Sequence, residues 1–441
     1  MSQAALKLNE PESDWKTIRS RKDLNEDIDL VKLKTELVVE GLKLHESAQE
    51  GIGTQYKERI VFLFDIFLNS QEGVTYPAEF ILPASPGKKP KVDELGTLED
   101  GLTVSYKNND NSSFQLRRNK GTLILEWNGT YITDVDFYPR PKYYGRQTRD
   151  GQPYSKYVVH GGLQGLFSCI SASWCEYFRH GDQCRFCNLV PTYKEHKEDI
   201  IARKRTEPFA QAVASAWEDG ICRRLVVTGG ILPGRNELDS YEEIIGALRA
   251  ARTWKDPNNI PIMPVIGAPA PGSHDKLRAM REAGARFIAT NLEIGNPDWF
   301  RAVCPGKAKN GGWENWVAAL EHEVEIFGAG NVRTNLVAGI EPQQDTLTAI
   351  QRLTDLGVWC FVSTPWCPDP GSLLEGHRNP PAEWYWRLNS ELANIWQNSS
   401  LTLEGLSIIP GANDIVPFDI WRVREGKTVP GLGRALKDEI T

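Results

Sequence analysis

The chain has 441 residues, more than one ordinary domain of about 100–200 residues needs and enough for a barrel of roughly 250 residues with an appendage. With 40% hydrophobic and 25% charged residues it can bury a core. A net charge of −7, with no long run of like charge, excludes a basic nucleic-acid groove. The nearest basic run, Arg203-Lys204-Arg205, is three residues long and reads as a solvated approach to a helix.

The amino terminus lacks a signal-peptide pattern. Ile60-Val-Phe-Leu-Phe64, the longest apolar run in the first part of the chain, falls far short of a membrane span. The expectation is a soluble, cytoplasmic protein. Its eight cysteines then serve metal or stay free rather than form disulfides. The 14 tryptophans read as bulky packing.

Residues 1–50 are charged, and the apolar spacing from Leu24 to Leu44 predicts a helix. Residues 51–158 read as a β-rich domain, with runs at Val74–Leu82, Leu102–Tyr106, Thr122–Trp127 and Tyr131–Phe137. Turn signals divide them at Asn109-Asp-Asn-Ser, Arg118-Asn-Lys-Gly121 and Asn128-Gly129, the last suited to a tight hairpin. Phe137 to Arg146 reads as an irregular connector.

From residue 159 to about 400 strands and helices alternate. Strands are predicted at Gly165–Ser173, Arg224–Thr228, Ile262–Ile266, Phe287–Glu293, Val332–Val337 and Trp359–Thr364. Helices are predicted at Pro208–Glu218, Tyr241–Thr253, Ser273–Ala283, Trp313–Phe327, Asp345–Leu356 and Pro381–Trp396, with glycine stops at Gly220, Gly284 and Gly357. The pattern gives an α/β fold with a parallel sheet: a partial (βα)6 TIM-like barrel behind a β-rich amino-terminal domain, or a doubly wound sheet. Residues 401–441 form a carboxyl-terminal extension. Ligands of either architecture sit at the carboxyl ends of the strands.

The first strand leads into Cys175-Glu-Tyr-Phe-Arg-His-Gly-Asp-Gln-Cys184-Arg-Phe-Cys187. Three thiolates from one loop can hold an iron–sulfur cluster; a [4Fe–4S] cluster normally takes four cysteines, so three leave one iron open. Zinc also accepts four thiolates at such spacing, so a non-enzymatic zinc-binding adaptor using Cys169, Cys175, Cys184 and Cys187 is the rival reading. A metal-dependent aldolase or hydrolase barrel would need His, Asp and Glu on strand ends, and seven scattered histidines show no such set. His180 within the loop would tune a cluster or lie exposed. Cys360 reads as core, while Cys304 and Cys367 are weak candidates to reach the cavity.

These residues resemble the radical S-adenosylmethionine superfamily, its biotin-synthase-like branch above all. The resemblance is carried by Cys184-Arg-Phe-Cys187, Thr228-Gly-Gly230, Asn291-Leu-Glu-Ile-Gly295, Asn335-Leu-Val-Ala-Gly-Ile-Glu341 and Pro368-Asp-Pro-Gly-Ser-Leu-Leu374, in order along the chain. It departs from the family in the first cysteine spacing: eight residues separate Cys175 from Cys184, where three are usual. Cys169 is the alternative first ligand. It lies in an apolar segment, where a thiol is usually packing, so Cys175 is preferred.

The resemblance implies a [4Fe–4S] cluster on Cys175, Cys184 and Cys187, with S-adenosylmethionine on the open iron. Reductive cleavage would yield a 5′-deoxyadenosyl radical that takes hydrogen from a small-molecule or peptide substrate. A donor such as flavodoxin or ferredoxin would supply the electron, and the protein would be oxygen-sensitive. Thr228, Gly229 and Gly230 would receive the methionyl ammonium, although Ile231 stands where the family often has an acid. Asn291 and Glu293, two apart on a strand and so on one face, would bind the ribose. Arg333 would grip a carboxylate of cofactor or substrate, with Asn335 on the same face. Gly339, Ile340 and Glu341 would flank the adenine, unless Glu341 caps the next helix.

Overall fold

The computed structural model describes residues 14–50, 70–71, 74–75, 79–92, 98–137, 141–161, 165–195, 197, 200–219, 224–232, 236–251, 256–362, 371–410 and 415–426. Ile60–Phe64, Gly220, Cys367, Pro368-Asp-Pro370 and the end of the sixth predicted strand lie outside them.

Helix α1 (Asp27–Glu40) is buried at every position from Asp29 to Val39, which explains apolar spacing that favours no single face. It stops at Gly41, whose φ of +69° suits glycine and whose Cβ position is blocked by the Lys107 carbonyl at 2.7 Å. The strands that follow are β1 (Lys43–Leu44), β2 (Ser70–Gln71), β3 (Val74–Thr75), β4 (Glu79–Leu82), β5 (Lys91–Val92), β6 (Leu98–Asp100), β7 (Leu102–Ser105), β8 (Phe114–Asn119), β9 (Thr122–Trp127), β10 (Thr130–Asp134) and β11 (Asp136–Phe137).

They form a four-stranded sheet in the order β1-β8-β9-β10, a three-stranded sheet β11-β4-β7, and the pairs β2-β3 and β5-β6. The β9–β10 hairpin turns at Asn128-Gly129, with φ of +45° and +78°, as the dipeptide predicts. Lys120-Gly121 turns the β8–β9 hairpin in the same way, at +51° and +86°. Strand β8 was not predicted. Its Phe114 and Leu116 are buried, but Arg117 and Arg118 break the apolar run.

The second half begins with β12 (Val159–Gly161), β13 (Gly165–Cys169), α2 (Glu176–Arg179), α3 (Leu189–Glu195), α4 (Thr206–Glu218), β14 (Arg224–Thr228), α5 (Asn236–Ala250), β15 (Ile262–Ile266), α6 (Asp275–Ala283) and β16 (Ile288–Thr290). It continues with α7 (Pro297–Val303), α8 (Pro305–Lys309), α9 (Gly312–Phe327), β17 (Val332–Asn335), α10 (Gln343–Asp355) and β18 (Val358–Phe361). Helices α11 (Ala382–Gln397), α12 (Leu403–Ile408) and α13 (Val416–Arg424) follow.

The seven strands lie in simple chain order from β12 to β18. β13 to β18 are all parallel, and β12 is an antiparallel edge. A doubly wound sheet reverses its strand order at a switch point; this one never does, so the architecture is the open (βα)6 barrel. The fourth predicted strand is shorter than its sequence suggests, because Glu293 turns out of β geometry at a φ of +72°.

The barrel core and the core of the amino-terminal sheets meet at α11. Tyr385, Leu388, Leu392 and Trp396 enter the first, and Trp386 and Ala393 enter the second. Val416 and Ile420 of α13 join the second core too. Buried Lys34 of α1 meets Asp419 of α13 at 2.6 Å. At the amino ends of the strands, Arg224 donates to the carbonyls of Ser407 and Ile409, at 3.2 Å for the latter.

Candidate active site

Strand β13 ends at Cys169, and its chain then crosses the end of β14. The Ile170 N–H donates to the Thr228 carbonyl at 2.9 Å, the Gly230 N–H to the Ser171 carbonyl at 3.0 Å, and the Glu176 N–H to the Ile231 carbonyl at 2.8 Å. Two loops are thereby laced together. A Cβ on Gly230 would lie 1.9 Å from the Trp174 carbonyl oxygen and 2.7 Å from the Cys175 Cβ, so only glycine lets Cys175 come this close. Cys175 then caps the amino end of α2, and Cys187 follows a tight turn in which its N–H donates to the Cys184 carbonyl at 3.0 Å.

The three loop thiols feel one another. Burial pushes Cys175 and Cys187 up, and the neighbouring Cys184 adds to both. Cys184 goes the other way: a hydrogen bond from Cys304 lowers it, against burial, and Lys307 lowers it further. Cys169 stands apart. Burial pushes its thiol up to about 11, and its charged neighbour is Lys204, itself lowered to about 8 by burial. No neighbouring thiol is among the causes that shift Cys169, whereas Cys184 is among those that shift Cys175 and Cys187. Among the described residues no three His, Cys, Asp or Glu side chains stand in a geometry that would hold a metal ion. His180 is exposed and pairs with Glu176 at 2.8 Å. Cys360 is core, as expected.

Asn291 and Glu293 lie beyond the end of β16, so regular strand alternation is not what brings them together. The Glu293 N–H donates to the Asn335 carbonyl at 2.8 Å, and the Asn335 N–H to Asn291 Oδ1 at 3.3 Å. The Asn291 amide also hydrogen-bonds the Glu293 carboxylate. Lys307 completes the group: its Nζ donates to the Asn291 carbonyl at 2.6 Å and to Glu293 Oε1 at 3.1 Å. Burial raises the Glu293 carboxyl, and Lys307 works against that. Lys307 itself is disfavoured by burial but held charged by Glu293 and Cys184, so its net direction is up.

Arg333 is buried, donates to the Pro410 carbonyl at 2.7 Å and lies over the Phe361 ring at 5.1 Å. It anchors the carboxyl-terminal segment, and its charge also lowers the Glu293 carboxyl. Glu341 accepts from the N–H groups of Gly295 and Asn296, both at 2.8 Å, and from Thr346. It thus braces the entry to α7 and does not cap the start of α10. Gly339 has a φ of +110°, and a Cβ there would meet the Tyr385 hydroxyl at 2.7 Å. Ile340 packs on the barrel core.

Lys307 and Glu237, near the strand ends, were not legible, and Cys304 stood only as a weak candidate to reach the cavity. Cys304 and Lys307 flank the turn between α7 and α8. Glu237, in the first turn of α5, accepts from the Gly267 N–H at 3.0 Å just past the end of β15, and burial pushes its carboxyl up to about 7. No motif marks Glu237, since an acid at a helix start ordinarily serves the helix dipole.

Both side-chain amide atoms of Asn188, next to Cys187, are buried without a partner among the described residues, as is Asn335 Oδ1. Buried polar atoms are normally satisfied, so orphans beside a thiol cluster and at a strand end fit a polar group bound in the mouth. Thiolates are the usual donors to iron–sulfur clusters.

Cys175, Cys184 and Cys187 follow the first parallel strand of the open (βα)6 barrel. No family model matches the chain. It is 25% identical over 262 residues to bacteriochlorophyllide c C-7(1)-hydroxylase of Chlorobaculum limnaeum, covering 56% of this chain and 63% of that protein, so it spans less than two thirds of that relative's length. Among solved structures it overlaps methylornithine synthase with a TM-score of 0.41 and 16% identity, over 62% of this chain and 78% of that one. HydG, a maturase of the [FeFe]-hydrogenase, gives 0.37 and 12% over 60% and 53%. The cobalamin-dependent S-adenosylmethionine radical enzyme OxsB gives 0.30 and 15% over 59% and 35%.

Proposed function

We propose that the chain is a radical S-adenosylmethionine enzyme in which Cys175, Cys184 and Cys187 hold a [4Fe–4S] cluster. The observation that supports this reading is the packing of Cys175 onto Gly230, which holds the cysteine loop against the end of β14. Bound there, the cluster and S-adenosylmethionine would supply a 5′-deoxyadenosyl radical for hydrogen abstraction. The sequence likeness to a hydroxylase supports a C–H bond as the target. The substrate is a small molecule or a peptide, and a low-potential donor such as flavodoxin or ferredoxin feeds the electron.

The protein's own work is positioning. Thr228, Gly229 and Gly230 seat the cysteine loop and present backbone to the methionyl end of the cofactor. Asn291 and Glu293 offer an amide and a carboxylate to ribose hydroxyls. Gly339 and Ile340 border the adenine, while Glu341 fixes the turn before α7. Glu237, whose carboxyl burial pushes up to about 7, would take or give a proton at the mouth.

The test is anaerobic reconstitution with iron and sulfide, followed by reduction with S-adenosylmethionine and detection of 5′-deoxyadenosine. Product is expected from the wild type and from Cys169→Ala, and none from Cys175→Ala, Cys184→Ala or Cys187→Ala. A colourless wild-type protein holding one zinc and making no 5′-deoxyadenosine sinks the proposal.

A further inference from the structure

The enlarged loop between Cys175 and Cys184 has a partner, the segment joining α7 to α8. The Arg185 N–H donates to the Val303 carbonyl at 2.9 Å, and the Gly306 N–H to the Asp182 carbonyl at 2.9 Å. Lys309 reaches both Asp182 carboxylate oxygens at 2.7 Å. Gly306 lies flat on Tyr177, where a Cβ would come within 2.4 Å of the ring. This contact sets the residues on either side of Pro305-Gly306 against the stretch from Asp182 to Arg185 that contains Cys184. Cys304 is 0% exposed and follows Val303, whose carbonyl holds the N–H of Arg185, the neighbour of Cys184. Lys307 is 6% exposed, fixed by the Asn291 carbonyl and Glu293, with its ammonium 4.3 Å from the Trp316 ring centroid.

Packing alone does not account for this pair. An apolar side chain would fill the place of Lys307 without the several kcal/mol, roughly, of desolvation that a buried ion costs. Hydrogen bonds to ligating sulfur and nearby charge are among the factors that set the reduction potential of an iron–sulfur centre. We propose that Cys304 and Lys307 are positioning residues for the cluster: the Cys304 thiol donates to the Cys184 sulfur, and the Lys307 ammonium holds positive charge against it. Both raise the potential, so that one electron from a low-potential donor fills the oxidised centre more readily. The proposal rests on the assignment of Cys184 as a cluster ligand.

The test is an anaerobic redox titration of the reconstituted protein, with dithionite as the one-electron donor and the reduced centre counted by electron paramagnetic resonance. Neither S-adenosylmethionine nor substrate is added. At a fixed potential, Lys307→Met should lower the reduced-to-oxidised ratio about tenfold, or about 59 mV for one electron. Cys304→Ala should lower it about threefold, as one hydrogen bond is lost. Lys307→Arg should restore the wild-type ratio, and Glu293→Gln, which leaves the cation unopposed, should raise it. If Lys307→Met does not fold, the opposite shifts expected of Glu293→Gln and Cys304→Ala decide the matter. Full iron content with an unmoved potential in these variants overturns the proposal alone. A folded Cys304→Ala that holds no cluster also overturns it, by making Cys304 a ligand. A wild type that assembles no iron–sulfur centre overturns the cluster assignment and this proposal with it.

Discussion

Gly230 has to be glycine because Cys175 lies against it. The atoms a side chain would strike, the Trp174 carbonyl and the Cys175 Cβ, belong to the backbone or are rigidly attached to it, so no flexible tip can yield. Gly229 is less constrained, since its Cβ would sit 3.2 Å from the Ser171 nitrogen. Gly230→Ala should therefore push the cysteine loop away from β14 and cost about 1–3 kcal/mol, the range for overpacking, while Gly229→Ala should cost less. Thermal unfolding together with iron bound per chain after reconstitution measures both effects. A Gly230→Ala protein with wild-type melting and iron would show that the two loops are not coupled. From the sequence the glycine pair reads only as backbone open to a ligand; its contact with the cysteine loop depends on a crossing that no local pattern encodes. Lys307 is illegible for a related reason. A lysine two residues past a proline reads as exposed, and only the fold of α7 and α8 around Tyr177 buries it.

At the scale of elements, the barrel strands were readable because parallel strands covered on both faces are continuous runs of β-branched and aliphatic residues. Arg224–Thr228 and Ile262–Ile266 match their predicted limits. The pair α7 and α8 was missed because prolines at 297 and 305 cut the segment into pieces too short for a helical period to emerge. The packing of α9 on β16 hides a further feature. Glu323 of α9 is fully buried; Oε1 accepts from the Thr290 hydroxyl at 2.5 Å, and Oε2 has no partner among the described residues. Burial pushes its carboxyl up to about 8, against the Thr290 hydrogen bond. An unfolded glutamate titrates near about 4.3, so the folded state favours the neutral form. That contribution is fully present below the unfolded value and is lost as pH rises through about 8. Wild type and Glu323→Gln should thus resist denaturant alike near the acid end of this window, and the glutamine variant should gain relative to wild type as pH rises. Denaturant midpoints across the window measure this, and a gap that does not change with pH refutes it.

At the scale of the whole molecule, helix α11 forces the two halves of the chain to act together. Its Trp386 and Ala393 fill the core of the amino-terminal sheets, while its Leu388, Leu392 and Trp396 fill the core of the barrel. The second hold is electrostatic. Lys34 of α1 and Asp419 of α13 are 0% and 2% exposed, and Arg422 meets the same carboxylate at 3.2 Å. A buried pair of this kind adds little over an apolar pair of similar shape, but removing one partner leaves a charge stranded and costs about 3–5 kcal/mol. Lys34→Met should therefore destabilise strongly, with Arg422 left as the only partner of Asp419 among the charged side chains described. Lys34→Met combined with Asp419→Leu and Arg422→Met should recover much of the loss, because nothing charged is then left unpaired between α1 and α13. Because α11 belongs to both cores, far-ultraviolet circular dichroism and tryptophan fluorescence should report one coincident unfolding transition in each variant. If Lys34→Met instead melts the amino-terminal sheets first, with the barrel signal unchanged, then the ion pair and not α11 is what couples the two cores.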